Sequence, residues 1–378
     1  MDLVPFRIDV PAADVADLEA RLRATRWPEP ATVDDWSQGV PLDYVQDLCR
    51  YWADSYDWPA RQAWLNLFDQ YRTELDGLPI HFLHVRSPQQ DALPLVLTHG
   101  WPGSIVEFMD VLGSLTDPVA HGGDPADAFH AVVPSLPGYG WSGKPSRPGW
   151  GVQRIADAWA ELMSRLGYQQ FGAQGGDWGS PVTTHLGARH AQRVLGIHLN
   201  MVYAEPPAGQ TAFTEREQTA LAAQRRYRRA DSGYARLQGT RPQTLGYGLA
   251  DSPAGQCAWI LEKFWAWSDC AGDPVGVFGA DRILDNVSTY WFSSSAASSA
   301  RLYWESSRTS YLGAETVSVP TGVSLFPKDI YLPTREWASA RYTDLRMWHE
   351  FDRGGHFAAF EQPEIFIDEV REFFRPLR

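Results

Sequence analysis

The segment 171–180 reads FGAQGGDWGS and places a single carboxylate, Asp177, among glycines. Its centre, GGDWG, has the spacing of G-x-S-x-G, in which a sharp strand-to-helix turn presents a nucleophilic serine. Glycines at both ends allow the backbone to turn sharply and the helix to pack closely on the strand. The spacing predicts that Asp177 is held out at the top of a sheet, where it can attack carbon as a carboxylate nucleophile.

A carboxylate nucleophile forms an ester, and a general base must then activate the water that hydrolyses it. In hydrolases with this turn, an acid and then a histidine follow the nucleophile along the chain. His356 lies in the glycine-flanked loop DRGGHFAAF after the last strand pattern, and we predict that it is the base. Asp329 in SLFPKDI follows the penultimate strand pattern and is predicted to orient the imidazole. Glu350 and Asp352 are nearer to His356 in sequence, but this proximity does not place them behind the ring.

Hydrolysis of the ester also requires backbone donors for the developing oxyanion. In this kind of site they are the N–H that follows the nucleophile and an N–H from the loop after the third strand. The sequence offers Trp178 for the first position and Trp101, in THGWPGS, for the second. Loss of one such donor costs about 2.7–4 kcal/mol of transition-state stabilisation.

The nucleophile also indicates the leaving group, because a carboxylate suits displacement at an sp³ carbon that carries a halide or a strained oxygen. A departing epoxide oxygen needs proton donors on the face opposite the nucleophile, and tyrosine hydroxyls can supply them. Tyr234 in DSGYARLQGTRP and Tyr303 in SSARLYWESS both fall in one predicted helical insertion. Any single tyrosine among the 15 is more often a packing residue, so the prediction depends on the pair.

Composition excludes several classes of partner. A net charge of −13 over 378 residues argues against nucleic acid and anionic membranes. No run approaches the roughly 18 apolar residues of a membrane helix, and the first residues lack the pattern of a secretory signal. Cys49, Cys257 and Cys270 are odd in number and lack metal-ligand spacing, which is typical of free thiols in a reducing compartment. We expect a soluble cytoplasmic protein that acts on a small molecule and uses no cofactor and no metal.

From about residue 71, short apolar runs alternate with helical patterns, as in α/β proteins. Their near-continuous apolar character predicts a mostly parallel central sheet flanked by helices. The predicted strands are 78–85, 94–100, 129–138, 169–174, 317–327 and 345–351, and the clearest helix is 152–167. The predicted organisation is an N-terminal extension (1–70), a core in two parts (71–204 and 306–378) and a helical lid inserted between them (205–305).

These motifs together resemble the microsomal-type epoxide hydrolases of the α/β-hydrolase superfamily. RLRATRWPEP near the N-terminus, HGWPGS, GGDWGS, GYARLQGTRP, RLYWES and RGGHFAAFEQPE resemble family segments in family order, over nearly the whole chain. The resemblance implies an α/β-hydrolase fold with a helical lid and an N-terminal arm. It also implies a hydrolase acting on ether bonds, which converts an epoxide to a vicinal diol through a covalent hydroxyalkyl ester.

The resemblance implies a role for each candidate residue. It gives Asp177 as the nucleophile, His356 as the base and Asp329 as its acid, with Tyr234 and Tyr303 as donors to the epoxide oxygen. The mammalian branch has Glu where this chain has Asp329, a difference that should affect the rate of ester hydrolysis more than the type of reaction. No segment of the sequence resembles the mammalian membrane anchor, so we expect a chain similar to soluble bacterial members, and the resemblance suggests a homodimer.

Two other functions stay open at this point. A haloalkane dehalogenase shares the aspartate turn but needs halide donors, and the indoles of Trp101 and Trp178 keep that alternative. A non-catalytic small-molecule binder is the second, whereas a serine esterase is poorly supported because no serine occupies the turn. The aromatic lid segments ILEKFWAWSDC and STYWF favour a bulky or aryl epoxide. Similar soluble members serve natural-product pathways, so a role in enediyne-type antibiotic biosynthesis is a hypothesis.

Overall fold

The computed structural model describes residues 3–308 and 315–378, and nine strands in them form one sheet in the order β1-β2-β3-β5-β4-β6-β7-β8-β9. The strands are β1 Val4–Phe6, β2 Gln70–Leu75, β3 Leu78–Val85, β4 Leu93–Thr98, β5 Phe129–Pro134, β6 Phe171–Gly175, β7 Val194–Leu199, β8 Thr321–Leu325 and β9 Leu345–Glu350. The six strands from β5 to β9 in this order are mutually parallel, which confirms the predicted mostly parallel sheet. Residues 1–2 and 309–314, which fall in the predicted extension and second core segment, lie outside the described residues.

The predicted strand at 78–85 forms as β3 and is one of the antiparallel strands of this mostly parallel sheet. It pairs antiparallel with both β2 and β5. The reason lies in the connection to β2, where Asp76 and Gly77 have φ of 48° and 74°. Two consecutive residues with positive φ make a tight hairpin turn, for which Asp-Gly is a preferred pair.

The helices surround this sheet and fill the long segment between β7 and β8. They are α1 Ala12–Arg23, α2 Leu42–Asp54, α3 Trp58–Leu65, α4 Met109–Thr116, α5 Val152–Arg165, α6 Gly179–Arg189, α7 Glu215–Arg226, α8 Gly233–Thr240, α9 Pro242–Asp251, α10 Pro253–Ala266, α11 Pro274–Phe278, α12 Ala280–Phe292, α13 Ala296–Ser307, α14 Arg335–Ser339, α15 Ala358–Glu361 and α16 Pro363–Phe374. A π-helical turn, Tyr227–Asp231, follows α7. None of the helices in the described ranges is long and apolar enough to cross a membrane.

Helix packing on the sheet follows the hydrophobic pattern. The helix predicted at 152–167 forms as α5, and its periodic residues Ile155, Trp159 and Leu162 are fully buried. On α16, the aromatic side chain of Phe374 lies so close to Gly172 of β6 that a Cβ there would be 2.4 Å from the ring. The central strands are therefore buried by helices, and their ends remain available for a site.

The N-terminal residues are tied to the inserted helices by a buried ion pair. Asp285 of α12 is fully buried and accepts hydrogen bonds from Arg61 Nε at 2.9 Å and from the Tyr56 hydroxyl at 2.7 Å. Close by, the Trp52 indole donates to the Ser288 hydroxyl at 3.1 Å. Because a buried carboxylate is stable only while it is paired, these contacts fix α12 against the N-terminal helices.

Replacement of Arg61 should therefore destabilise the protein strongly. In Arg61→Met the Asp285 carboxylate loses its cation but stays buried, and we expect the free energy of unfolding to fall by about 3 kcal/mol. Denaturant unfolding measures the change. Arg50→Met, which breaks an exposed pair with Asp47, is the matched control and should cost less than about 1 kcal/mol. Equal losses in the two variants would contradict a stabilising role for the buried pair.

Candidate active site

The turn between β6 and α6 has the geometry of a strained nucleophile turn. Asp177 has φ of 46°, a left-handed conformation that is uncommon for residues other than glycine. The flanking glycines are needed for close approach, because a Cβ on Gly179 would lie 1.9 Å from the Thr98 carbonyl oxygen. A Cβ on Gly175 would lie 2.2 Å from the Gly179 carbonyl oxygen. Such strained positions cluster at functional sites, and here the strain presents a carboxylate.

The structure brings the three predicted triad residues together. His356 Nδ1 lies 2.7 Å from Asp329 Oδ1, and His356 Nε2 lies 3.3 Å from Asp177 Oδ2. Asp329 Oδ1 also accepts the Ile330 N–H at 2.7 Å, which fixes the carboxylate. Because Asp177, Asp329 and His356 follow the carboxyl ends of the parallel strands β6, β8 and β9, they meet at one edge of the sheet.

The loop after β4 holds one oxygen of the Asp177 carboxylate. The Trp101 N–H donates to Asp177 Oδ1 at 2.7 Å, as expected of an oxyanion donor. Gly100 permits this approach, since a Cβ there would lie 2.1 Å from the same oxygen. Trp178, the second predicted donor, directly follows Asp177 at the start of α6. The two carboxylate oxygens are thus distinguished, with Oδ1 held by the backbone and Oδ2 facing His356.

The charges of the triad determine the protonation of His356. Burial by itself lowers the pKa of the imidazole, but Asp329 and Asp177 outweigh this and raise the pKa to about 10. His356 is therefore a cation between two carboxylates at neutral pH. Any reaction that neutralises Asp177 removes one of the two negative charges that raise the pKa of His356, and this pKa must then fall.

Tyr234 of α8 and Tyr303 of α13 line a cavity of about 290 Å³ together with Asp177. Both side chains are buried, and their ring centroids are 5.7 Å apart at 79°. Trp101 stacks on the Tyr234 ring with centroids 5.0 Å apart. Burial raises the pKa of both tyrosines well above the ordinary value, so both hydroxyls stay protonated at neutral pH and can donate.

Two acidic residues near the triad were not predicted from the sequence. Removal from solvent raises the pKa of Glu107 to about 8, opposed by His356 and reinforced by Asp177. Burial likewise raises the pKa of Glu361 to about 7. Glu361 also accepts the Asp269 N–H at 2.8 Å. This hydrogen bond links the segment that follows His356 to the inserted helices. Both residues lie next to motifs identified in the sequence, HGWPGS and GGHFAAF. This proximity is the sequence feature that could have indicated a place near the site.

The pKa of His356 can be tested directly. In Asp329→Asn the imidazole loses one carboxylate, and we expect its pKa to fall below the native value of about 10. Titration of ¹⁵N-labelled histidine by NMR measures it, with His356→Gln to assign the signal. Asp344→Asn, which removes an exposed carboxylate paired with Arg346, should leave the titration unchanged. An unchanged pKa in Asp329→Asn would contradict the electrostatic explanation.

The same titration has a consequence for stability. The folded pKa of about 10 lies above the ordinary value of 6.5, so protonation of His356 favours the folded chain. This contribution is fully present below about pH 6.5 and is lost as the pH rises through the folded pKa.

Comparison with known proteins gives a consistent result for the whole chain. Residues 3–108 match the family model described as epoxide hydrolase N terminus, and residues 94–238 match the model described as alpha/beta hydrolase fold. A putative epoxide hydrolase from Stigmatella aurantiaca is 53% identical over 100% of this chain and 86% of its own length. Epoxide hydrolase 1 from Oryctolagus cuniculus is 33% identical over 98% of this chain and 88% of its own length.

Among solved structures, the juvenile hormone epoxide hydrolase from the silkworm Bombyx mori superimposes with a TM-score of 0.91 at 29% identity. The superposition covers 100% of this chain and 95% of the silkworm chain. The predicted α/β-hydrolase fold is thereby confirmed.

Proposed function

Because the chain belongs to the microsomal-type epoxide hydrolase family, we propose that it converts a small-molecule epoxide and water to a vicinal diol. One observation carries the proposal for this site: Asp177 lines the same cavity as the hydroxyl-bearing pair Tyr234 and Tyr303. A nucleophile on one side and two proton donors on the other are what ring opening of an epoxide needs.

The first step is attack on the epoxide. Oδ2 of Asp177 bonds to an epoxide carbon, the carbon–oxygen bond breaks, and its electron pair moves to the departing oxygen. Tyr234 and Tyr303 donate hydrogen bonds to that oxygen, and one of them transfers its proton. Because the Trp101 N–H holds Oδ1, Oδ1 becomes the carbonyl oxygen of the resulting ester.

The second step is hydrolysis of this ester. Alkylation removes the charge of Asp177, so the pKa of His356 falls, the imidazolium releases its proton to solvent and the neutral imidazole can act as a base. It takes a proton from water, which attacks the carboxyl carbon of Asp177, while Asp329 holds the ring. The oxyanion forms on Oδ1, where the N–H groups of Trp101 and Trp178 stabilise it, and the diol is released.

The walls of the cavity support a bulky or aryl substrate. Six aromatic residues line it: Trp178, Tyr203, Tyr227, Tyr234, Tyr303 and Tyr331. Flat rings favour apolar or aromatic ligands through their area and stacking geometry. A role in enediyne-type antibiotic biosynthesis, a cytoplasmic location and a homodimer stay predictions. The three cysteines are free and buried, as a reducing compartment would leave them.

The covalent intermediate can be trapped. In His356→Ala we expect alkylation to proceed and hydrolysis to stall, so intact mass should rise by the whole mass of the epoxide. The variant is incubated with a panel of aryl epoxides and, separately, with 1-haloalkanes. Asp177→Ala is the control and should gain no mass.

An adduct formed only with haloalkanes would assign the chain as a dehalogenase instead. No adduct with either panel, in a folded variant, would contradict a nucleophilic role for Asp177 toward these substrates and favour the non-catalytic binder.

The tyrosine pair should be needed for ring opening. Tyr234→Phe and Tyr303→Phe each remove one donor, and we expect the alkylation rate to fall by about 10²-fold or more in each. Stopped-flow fluorescence under single-turnover conditions measures this rate. Tyr247→Phe removes an exposed hydroxyl and should have the native rate. Native rates in both cavity variants would contradict general acid catalysis by the pair.

A further inference from the structure

The π-helical turn Tyr227–Asp231 places a third tyrosine against the proposed donor Tyr234. The hydroxyl oxygens of Tyr227 and Tyr234 are 3.0 Å apart, so one donates a hydrogen bond to the other. π-Turns are frequent at functional sites, and the wider turn moves a side chain out of the α-helical register. Here the turn brings Tyr227 onto a buried hydroxyl only seven residues further along the chain.

Tyr227 and Tyr234 also line a second cavity. A cavity of about 540 Å³ is lined by both tyrosines and by Asp231, Lys263 and Trp36. The same two tyrosines line the smaller cavity that contains Asp177. Tyr234 is buried, whereas Tyr227 is only partly buried. The two tyrosines therefore line both the reaction cavity and a larger cavity.

A buried cation, Lys263, which pairs with Asp231 and Glu262, lies against the ring of Tyr234. The Lys263 ammonium lies 4.5 Å from the centroid of the Tyr234 ring. Lys263 is buried and is held by Asp231 Oδ1 at 2.9 Å, while Trp267 Nε1 donates to Asp231 Oδ2 at 2.6 Å. A fixed cation over the ring stabilises charge that develops on the phenol when its proton leaves.

We propose that Tyr227 is a positioning residue that donates its hydrogen bond to Tyr234 and replaces the proton that Tyr234 gives to the epoxide oxygen. The inference rests on the proposed function. As the carbon–oxygen bond breaks, the Tyr234 proton moves to the departing oxygen and the Tyr227 proton moves to Tyr234. Tyr227 regains a proton from water in the larger cavity. The proton that the His356 imidazolium releases to solvent before hydrolysis balances this uptake, and the proton that His356 then takes from the hydrolytic water restores the imidazolium, so the sum is epoxide plus water to diol.

Tyr227→Phe tests the relay, because it keeps the ring and its packing against Tyr331, whose centroid is 5.5 Å away. We expect the single-turnover alkylation rate to fall about tenfold, less than the loss for a direct proton donor. The rate of ester hydrolysis should be unchanged, because that step uses His356. Tyr247→Phe is the matched control, and thermal unfolding verifies that the variant is folded.

A double-mutant cycle separates a relay from a structural contribution. If Tyr227 acts through Tyr234, adding Tyr227→Phe to Tyr234→Phe should lower the alkylation rate no further. The same tenfold loss in both backgrounds, or a loss in ester hydrolysis, would overturn the inference.

The outcome is also distinguishable from failure of the proposed function. If the native chain alkylates epoxides and Tyr227→Phe does so at the native rate, the relay is wrong and the proposed function stands. If the native chain alkylates no epoxide in the panel, both are overturned.

Discussion

The buried imidazolium between two carboxylates is the interaction on which the rest of this structure depends. His356 is buried, and so are Asp177 and Asp329, so three charged groups are removed from water at one edge of the sheet. Such an arrangement is stable only while the partners stay in contact. It also makes the basicity of His356 depend on the state of Asp177, which couples the two halves of the proposed reaction. The protein therefore has to hold this cluster closely and keep it covered.

The architecture meets this need with parallel strands and tight turns. The chain returns to the same edge of the sheet after β4, β6, β8 and β9, and each return delivers one component of the site. Gly100 and Gly179 let backbone segments approach to distances that a side chain would prevent. The Trp267 carbonyl accepts the His356 N–H at 2.8 Å, so the inserted helices contribute directly to the position of the base. Fold and site are consequently stabilised by the same contacts.

Much of this arrangement could be predicted from residue types and order. The glycines around Asp177 and His356 mark positions of close approach, and the apolar runs mark the strands that precede them. The direction of β3 was not predicted individually, although Asp76-Gly77, a hairpin pair, stands directly before it. Glu107 could not be assigned because the groups that shift its pKa, His356 and Asp177, are distant in sequence, and Tyr227 could not because its contact with Tyr234 depends on a π-turn that the helical pattern does not indicate. A raised pKa and a hydroxyl–hydroxyl contact are products of tertiary packing.

The inserted helices differ in the substitutions that they can tolerate. One part, α12, is attached to the N-terminal helices through Asp285 and Arg61. The anchored part carries a buried charge, and changes there threaten folding. Tyr227 and Tyr234 come from a different part, the π-turn and α8, which shape the two cavities. Other wall positions in that part, such as Ala235 and Arg236, carry neither a proposed donor nor a buried charge. Substitutions there are expected to change the shape of the cavity with little loss of stability, while the Asp285–Arg61 pair preserves the fold.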